Sequence, residues 1–292
     1  MIYRQSPLLG ALFILCAELL FASMGATVKA LSDSGIASEV SVFMRNLFGL
    51  IIISPLLFRG GMKLIRTDIP HLHLLRALAG LSAMYCFFYA LSNIALAESM
   101  LLKMTSPLFM PLIAAAWLGE RIFRLTLFAV GLGFAGVLIV LQPGGEFNIV
   151  ALIGLLGGAL AALAKTSLRR LGQSEPTVRV VFYFATTATV ISAIPMAWFW
   201  QMPNSEQWRL MMMLGLFGTL AQLLLTRGYA IAPAGRMSPL TYTSVVFGAG
   251  FGYLFWNEIP GSSFIIGAVL IAIAGVLTLH HPGRLPRTPA SD

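Results

Sequence analysis

The stretches LLKMTSPLF at residues 101–109 and PLTYTSVVF at residues 239–247 share Thr, Ser and Phe at matching positions, 138 residues apart. The same offset aligns Glu120 with Glu258 and Gly80 with Gly218. Self-similarity at a fixed offset indicates an internally repeated structure. We therefore expect two similar halves, a first repeat at 8–141 and a second repeat at 149–280.

The overall composition predicts that these repeats lie in a lipid bilayer. Of the 292 residues, 58% are apolar and only 10% are charged, whereas a soluble domain carries about 25% charged residues. Since a membrane span takes about 20 apolar residues, little of the chain remains for a soluble domain. Cys16 and Cys86 both fall in apolar segments, which argues against a disulfide or metal framework. We expect no metal and no cofactor.

Hydropathy, with Gly, Pro and charge clusters as boundaries, divides the chain into ten apolar segments. They are approximately 8–31, 38–58, 70–93, 97–118, 124–141, 149–168, 177–200, 206–230, 236–256 and 262–280. Each is expected to be a helix, because lipid offers no partner for a free backbone amide. Five spans per repeat is an odd number, so the second repeat must enter the membrane upside down. The predicted fold is all-α integral membrane, with ten transmembrane helices as two inverted five-helix repeats, an architecture of alternating access.

The distribution of basic residues predicts the orientation. If the amino terminus is cytoplasmic, only Lys29 and Arg209 lie on the far side, while Arg45 and Lys103 fall within spans. Fifteen then lie on the cytoplasmic side: Arg4, Arg59, Lys63, Arg66, Arg76, Arg121, Arg124, Lys165, Arg169, Arg170, Arg179, Arg227, Arg236, Arg284 and Arg287. Because cytoplasmic loops are enriched in Lys and Arg, we expect both termini inside and a disordered cytoplasmic tail at 281–292. The net charge of +8 thus reflects membrane orientation and not a nucleic-acid surface.

A longer motif carries a family resemblance. The sequence ALAESMLLKMTSPLFMPLIAAAWLGER contains the pattern A-x-A-x(9)-P-x(11)-G-E, formed by Ala95, Ala97, Pro107, Gly119 and Glu120. It resembles the EamA module of the drug/metabolite transporter superfamily. The second copy, PAGRMSPLTYTSVVFGAGFGYLFWNE, departs from the pattern at Val245 and Asn257.

This resemblance covers roughly residues 8–280. It implies a ten-helix permease for small metabolites, many members being exporters of amino acids or related compounds. It also implies a bacterial inner-membrane location, and a fifth helix of each half set apart at a dimer surface, in a monomer or a homodimer.

Charged residues within the spans are the first candidates for substrate contact, because burying a charge in a membrane is unfavourable unless it is paired or hydrated. Glu18 lies near the middle of span 1 and Lys103 lies within span 4. We expect both to face a central cavity, where they would bind opposite ends of a zwitterion. The alternative is a structural ion pair or a lysine that reaches the interface. Arg45 is a weaker candidate, since span 2 is expected to be peripheral.

Polar and aromatic side chains complete the predicted substrate site: Tyr85, Tyr89, Ser106, Gln222, Thr241, Tyr242 and Ser244. Tyr85 and Tyr89 are one turn apart and share a helix face. Packing between helices, or an interfacial anchor, is the alternative for these residues. Pro107 and Pro239 interrupt spans 4 and 9 and are candidate hinges, because proline weakens a helix locally.

The sequence contains no G-x-x-x-x-G-K-[ST] loop, no H-E-x-x-H and no G-x-S-x-G motif. We therefore expect neither ATP hydrolysis nor enzyme activity. The predicted function is a secondary active transporter of small organic metabolites, most plausibly amino acids or related zwitterions. Import of a larger aromatic or cationic metabolite, vitamin-like or nucleoside-like, is a rival prediction. A membrane scaffold or receptor that transports nothing is a rival from another class.

Overall fold

The computed structural model describes residues 7–60, 66–118, 122–141, 149–171, 174–231 and 238–279. Every regular element in these ranges is a helix. The first half contains α1 (Pro7–Asp33), α2 (Ser38–Gly60), α3 (Pro70–Asn93), α4 (Leu96–Lys103), α5 (Ser106–Leu118) and α6 (Arg124–Leu141). The second half contains α7 (Ile149–Leu171), α8 (Thr177–Phe199), α9 (Ser205–Ile231), a 3-10 helix (Ser238–Tyr242), α10 (Thr243–Trp256) and α11 (Ser262–Leu279).

The predicted spans 4 and 9 are not continuous helices, and each break lies near the proline that is expected to interrupt that span. In the first half Thr105 separates α4 from α5, and its hydroxyl donates to the Leu102 carbonyl at 2.6 Å. In the second half the 3-10 helix gives way to α10 at Thr243, whose hydroxyl donates to the Leu240 carbonyl, also at 2.6 Å. A threonine that bonds to a carbonyl three residues earlier competes with the backbone ladder. Both breaks therefore have the same local cause.

Six helical stretches among the described residues are long and apolar enough to cross a membrane. They are Leu8–Asp33, Pro70–Asn93, Leu96–Trp117, Ile149–Leu168, Val178–Phe199 and Ser205–Leu225, and two shorter apolar helices are Arg124–Val140 and Ser262–Leu277. Large apolar side chains are exposed on the outside of the bundle, for example Trp198, Leu254 and Phe255. In a membrane protein such a surface faces lipid. The predicted all-helical membrane class is confirmed, whereas ten spans in an inverted repeat stay a prediction.

Helices of the first half pack directly on helices of the second half. The most extensive helix contacts pair α1 with α9, α3 with α7 and α6 with α11. At the α6–α11 contact, a β-carbon added to Gly136 would lie 2.8 Å from the Gly267 carbonyl oxygen, so only glycine permits this approach. Small residues allow membrane helices to pack closely in this way.

Contacts between sequence-distant residues define the two ends of the bundle. One end contains the carboxyl end of α1, and we call it the Asp33 end. There Trp256 donates to Asp33 at 2.6 Å and Gln207 donates to the Ser34 carbonyl at 2.9 Å. We call the opposite end the Leu171 end, after the last residue of α7.

At the Leu171 end, the loop before α3 is attached to the start of α8 through Glu175. The Thr67 hydroxyl donates to Glu175 at 2.6 Å, and Arg179 pairs with the same carboxylate at 2.5 Å. Although burial opposes ionisation, the hydrogen bonds from Thr67 and Arg179 hold the pKa of Glu175 below its ordinary value. Glu120, Arg4, Lys63, Arg121, Arg236, Arg284, Arg287 and the tail 281–292 lie outside the described residues.

Candidate substrate site

Two opposite charges lie in the interior of the bundle without being paired. Glu18 on α1 is 2% exposed, and its Oε2 atom has no hydrogen-bond partner. Lys103, the last residue of α4, has a buried Nζ atom that also lacks one. The two groups are close enough to interact electrostatically. Buried charged groups with unused hydrogen-bonding atoms are unfavourable, which makes Glu18 and Lys103 candidates for contact with a ligand.

Aromatic rings surround the ammonium group of Lys103. Its Nζ lies 4.2 Å from the centre of the Phe21 ring and 5.4 Å from that of Phe87. Cation–π attraction stabilises a buried ammonium in part, without using its hydrogen-bond donors. All three donors of Lys103 therefore remain available to a ligand.

A third charged residue, Lys165, joins this cluster and is not among the predicted substrate contacts. It lies within α7, six residues before Leu171. Its Nζ donates to Ser106 Oγ at 2.6 Å and interacts electrostatically with Glu18 and Lys103. The central cluster thus consists of two cations and one anion.

A signal for Lys165 was present in the sequence. Gly154 and Gly158 of α7 face Leu102 and Thr105, so that face of α7 packs on the α4–α5 segment. Ala162 continues this face and is fully buried, and Lys165 follows three residues later. A stripe of small residues at helical spacing therefore pointed Lys165 at span 4. The basic residues Arg169 and Arg170 that follow masked the signal by resembling a loop.

Two serines at the helix breaks hold the charged groups. Ser106, the first residue of α5, accepts the hydrogen bond from Lys165. Ser244, on the first turn of α10, lies within hydrogen-bonding reach of the Glu18 carboxyl group and also donates to the Thr241 carbonyl at 2.9 Å. Both serines are fully buried. The structure thus brings together Glu18, Lys103, Ser106 and Ser244 among the predicted site residues.

The other predicted site residues lie around this cluster or away from it. Tyr85 is half-buried and its hydroxyl lacks a hydrogen-bond partner, whereas Tyr89 is 41% exposed at the bundle surface. Tyr242 lies against Gly275 of α11. Thr241 and Gln222 are half-buried, and each makes a polar or electrostatic contact. The described hydrogen bonds and ion pairs join none of Tyr85, Tyr89 and Tyr242 to Glu18 or Lys103.

The two candidate hinge prolines lie beside the breaks. Pro107 is the second residue of α5, where its missing N–H leaves no helical bond unmade. Pro239 lies within the 3-10 helix that precedes α10. Each proline therefore begins or adjoins a new helical segment and does not interrupt a longer one.

An ion pair links three helices at the Asp33 end. Lys29 Nζ lies 2.7 Å from Glu258 Oε1 and 3.1 Å from the Ile94 carbonyl oxygen. The other oxygen of Glu258 accepts the Leu96 N–H at 2.8 Å, at the start of α4. Asn257, with φ 54°, reverses the chain after α10 and so positions Glu258. One carboxylate thus joins α1, α4 and α10.

Two surface hollows lie elsewhere and involve none of the three central charges. One, of about 390 Å³, is lined by Phe43, Met44, Met196, Ala197 and Trp200. The other, of about 40 Å³, adjoins Glu98 and Glu258. Within the described ranges, no group of three or more His, Cys, Asp or Glu side chains is arranged to hold a metal.

A helical membrane protein that encloses unpaired charges between its helices has the organisation of a transporter. The chain belongs to the EamA-like transporter family, whose sequence profile matches residues 8–142 and again residues 148–279. The resemblance carried by the motif from Ala95 to Glu120 is thereby confirmed. The protein is a multi-pass membrane protein of a transporter family.

Named relatives cover nearly the full chain. The pseudopaline exporter of Pseudomonas aeruginosa is 35% identical over 269 residues, which are 91% of this chain and 94% of the exporter. A riboflavin transporter of Brucella anthropi is 28% identical over 272 residues, 90% of this chain and 95% of the relative. An S-adenosylmethionine uptake transporter of Rickettsia bellii is 28% identical over 239 residues, 82% of each. One solved crystal structure superposes with a TM-score of 0.65 at 19% identity, over 92% of this chain and 95% of its own, which supports the fold alone.

Proposed function

We propose that this protein is a secondary active transporter that exports small organic metabolites bearing an amine and a carboxylate, such as amino acids or related zwitterions. The observation that carries the proposal is that Glu18 Oε2 and Lys103 Nζ, both buried in the bundle, lack hydrogen-bond partners. A carboxylate recognises an ammonium, and an ammonium recognises a carboxylate, through charge-assisted hydrogen bonds. Glu18 thus binds the substrate amine, while Lys103 and Lys165 bind its carboxylate.

Transport proceeds by alternating access between two inverted repeats at 8–141 and 149–280. The equivalent breaks at Thr105 and Thr243, 138 residues apart, support this part of the proposal. Each break leaves a half-helix that can tilt without unmaking a continuous hydrogen-bond ladder, as in other transporters with discontinuous helices. Both termini and the Leu171 end are cytoplasmic in this proposal.

The described conformation is closed at the Asp33 end by Lys29 and Glu258. By contrast, the Lys165 side chain is exposed less than two helical turns before Leu171, which favours entry from that end. A substrate that enters there and leaves at the Asp33 end would be exported. The Pseudomonas relative is itself named as an exporter.

Counterflow in proteoliposomes tests the proposal. Purified protein is reconstituted with a panel of amino acids, aminocarboxylates, riboflavin and S-adenosylmethionine, and uptake of labelled substrate against unlabelled substrate is measured. We expect a zwitterion to exchange, and Glu18→Gln and Lys103→Met each to abolish exchange. The matched control is Glu206→Gln, because Glu206 is exposed at the start of α9. Unchanged exchange in both site variants would contradict the proposal.

Transport of a larger aromatic or cationic metabolite is the second candidate. The Phe21 and Phe87 rings beside Lys103 favour it, because aromatic rings stack on planar ligands. The riboflavin and S-adenosylmethionine transporters among the relatives make those two compounds the natural members of the panel. If no compound of the panel exchanges in either direction, both transport proposals fail, and the result favours a membrane scaffold or receptor that transports nothing.

A further inference from the structure

A second pair of basic side chains lies inside the helix bundle, apart from the central cluster. Arg45 of α2 is 8% exposed, and Arg76 of α3 is half-buried. Their guanidinium carbons lie 6.0 Å and 4.3 Å from the centre of one ring, that of Phe184 on α8. Two like charges therefore share one aromatic neighbour.

This arginine pair lacks a counter-ion. In the described part of the chain, no Asp or Glu lies within ion-pair distance of either guanidinium. Arg45 donates to the amide oxygen of Asn46 at 3.0 Å, and the buried Nε atoms of both arginines have no acceptor. An arginine offers five donors in a planar fork suited to a carboxylate or a phosphate. Most of that capacity is unused here.

Two glycines leave space for the guanidinium groups. A β-carbon at Gly80 would lie 2.6 Å from Arg76 Nη1, and one at Gly218 would lie 3.0 Å from Arg45 Nε. These are the two glycines that the repeat offset of 138 aligns. Each half thus supplies a glycine against which one arginine rests.

The arginine pair and the central cluster share one face of α3. Met84 follows Arg76 and Gly80 at helical spacing, and its sulfur accepts from Asn46 Nδ2 at 3.6 Å. Phe87 continues the same face, and its ring lies beside Lys103 Nζ. Arg76 and Phe87 thus lie on one face of α3, with the Asn46–Met84 contact between them.

We propose that Arg45 and Arg76 form an anion subsite that binds an additional acidic group, carboxylate or phosphate, of the transported molecule. This inference rests on the proposed transport function and narrows its substrate class. Among the described residues, Lys103, Arg45 and Arg76 lie in the interior with Lys165 beside them, against the single carboxylate of Glu18, so a substrate with one amine and several acidic groups matches this charge. A simple amino acid leaves the arginines unoccupied.

Ligand-induced stabilisation of the full-length protein tests the subsite. The protein is placed in nanodiscs of phosphatidylcholine, and its unfolding temperature is measured with citrate, inorganic phosphate or alanine at constant ionic strength. Citrate and phosphate probe the two acidic groups, and alanine probes a simple zwitterion. A second set of nanodiscs contains phosphatidylglycerol, which offers a lipid phosphate instead.

We expect saturable stabilisation by citrate or by phosphate, and a weaker effect of alanine. Arg45→Gln and Arg76→Gln should each weaken the apparent affinity about tenfold, the value of one charge-assisted hydrogen bond. Arg209→Gln is the matched control, because Arg209 is exposed at the start of α9. Glu206→Gln, which removes an exposed carboxylate at the start of α9, should leave anion binding intact.

The unfolding temperature of the variants without added anions is a second measurement, and it distinguishes an anion-binding arginine from one that only stabilises the fold. Removing one of two uncompensated like charges should raise the unfolding temperature in the absence of anions. A structural role predicts a fall instead, and such a fall would overturn the proposal. Equal stabilisation by citrate or phosphate in the parent and in both arginine variants would also overturn the proposal. So would a stabilisation that depends on the arginines but is produced by phosphatidylglycerol and by neither soluble anion. Failure of the transport proposal is seen separately, as absence of counterflow with anion binding preserved.

Discussion

The ammonium group of Lys165 lies 2.6 Å from the hydroxyl of Ser106, across the boundary between the two halves of the chain. Its counterpart is the contact between Glu18 of the first half and Ser244 of the second. Ser106 and Ser244 are aligned by the sequence repeat, so equivalent serines hold opposite charges. The two halves therefore place equivalent serines at the central cluster, although the charged groups that these serines contact have opposite signs.

Lys165→Met tests whether this contact serves transport. We expect the rate of exchange to fall about tenfold or more, because a hydrogen bond to a charged group contributes about 1.5–3 kcal/mol. Ser106→Ala should reduce exchange in the same direction but less, since the lysine charge is retained. Exchange is measured by counterflow in proteoliposomes. The controls are Arg124→Met and Ser262→Ala, because both residues are exposed at helix starts. If Lys165→Met lowers the exchange rate no more than Arg124→Met does, Lys165 has no part in transport.

The ion pair between Lys29 and Glu258 should keep the Asp33 end closed. Their side chains are 13% and 20% exposed, so the ion pair is less exposed than a surface salt bridge but not fully buried. Breaking it with Lys29→Gln should shift the equilibrium toward opening by about 1–3 kcal/mol, which is about 5- to 150-fold in population. The readout is labelling of Ser99→Cys by an impermeant maleimide in a variant without Cys16 and Cys86. Ser99 is fully buried, so the parent should react slowly.

A charge exchange provides the control for this experiment. Lys29→Glu combined with Glu258→Lys restores the attraction, although Leu96 loses its acceptor. The labelling rate should return toward that of the parent. If the single and the double variant label alike, the ion pair does not control opening.

The sequence predicted the charged residues of the site better than the shape of the helices that carry them. Glu18 and Lys103 stand out because a charge in an apolar run has no structural explanation of its own. Lys165 was missed because hydropathy cannot distinguish a lysine that points inward from one that ends a span. Pro107 and Pro239 predicted an interruption in each span, but they did not predict its position at Thr105 and Thr243, because a threonine bonded to a carbonyl three residues back leaves the apolar pattern unchanged. Only coordinates could show that Arg45 and Arg76 meet at Phe184.

The Glu175 cluster should make stability dependent on pH in the acid range. Its pKa in the folded protein is below the ordinary value of 4.5. Such a group contributes stability above the unfolded pKa, and that contribution is lost as the pH falls through the folded pKa. Glu175→Gln should therefore lower the unfolding temperature at pH 7, with the difference from the parent shrinking as the pH is taken below 4.5. A difference that is constant across this range would mean that the carboxylate charge plays no part.

The close approach of α6 and α11 gives a prediction with a control on the same helix. A β-carbon at Gly136 would lie 2.8 Å from the Gly267 carbonyl oxygen, a backbone atom that cannot move aside easily. At Gly131 of the same helix, a β-carbon would meet nothing within 4 Å. Gly136→Leu should thus force the helices apart, at a cost of about 1–3 kcal/mol for overpacking. Gly131→Leu adds the same side chain where it meets no neighbour.

Thermal unfolding of the two variants in one detergent measures the difference. We expect a lower unfolding temperature for Gly136→Leu and no comparable fall for Gly131→Leu, because both replace glycine within the same helix and only one meets a neighbouring backbone. Gly136→Ala should fall between them, since one methyl group already meets the carbonyl oxygen. Equal unfolding temperatures for the two leucine variants would show that α6 and α11 are not packed this closely.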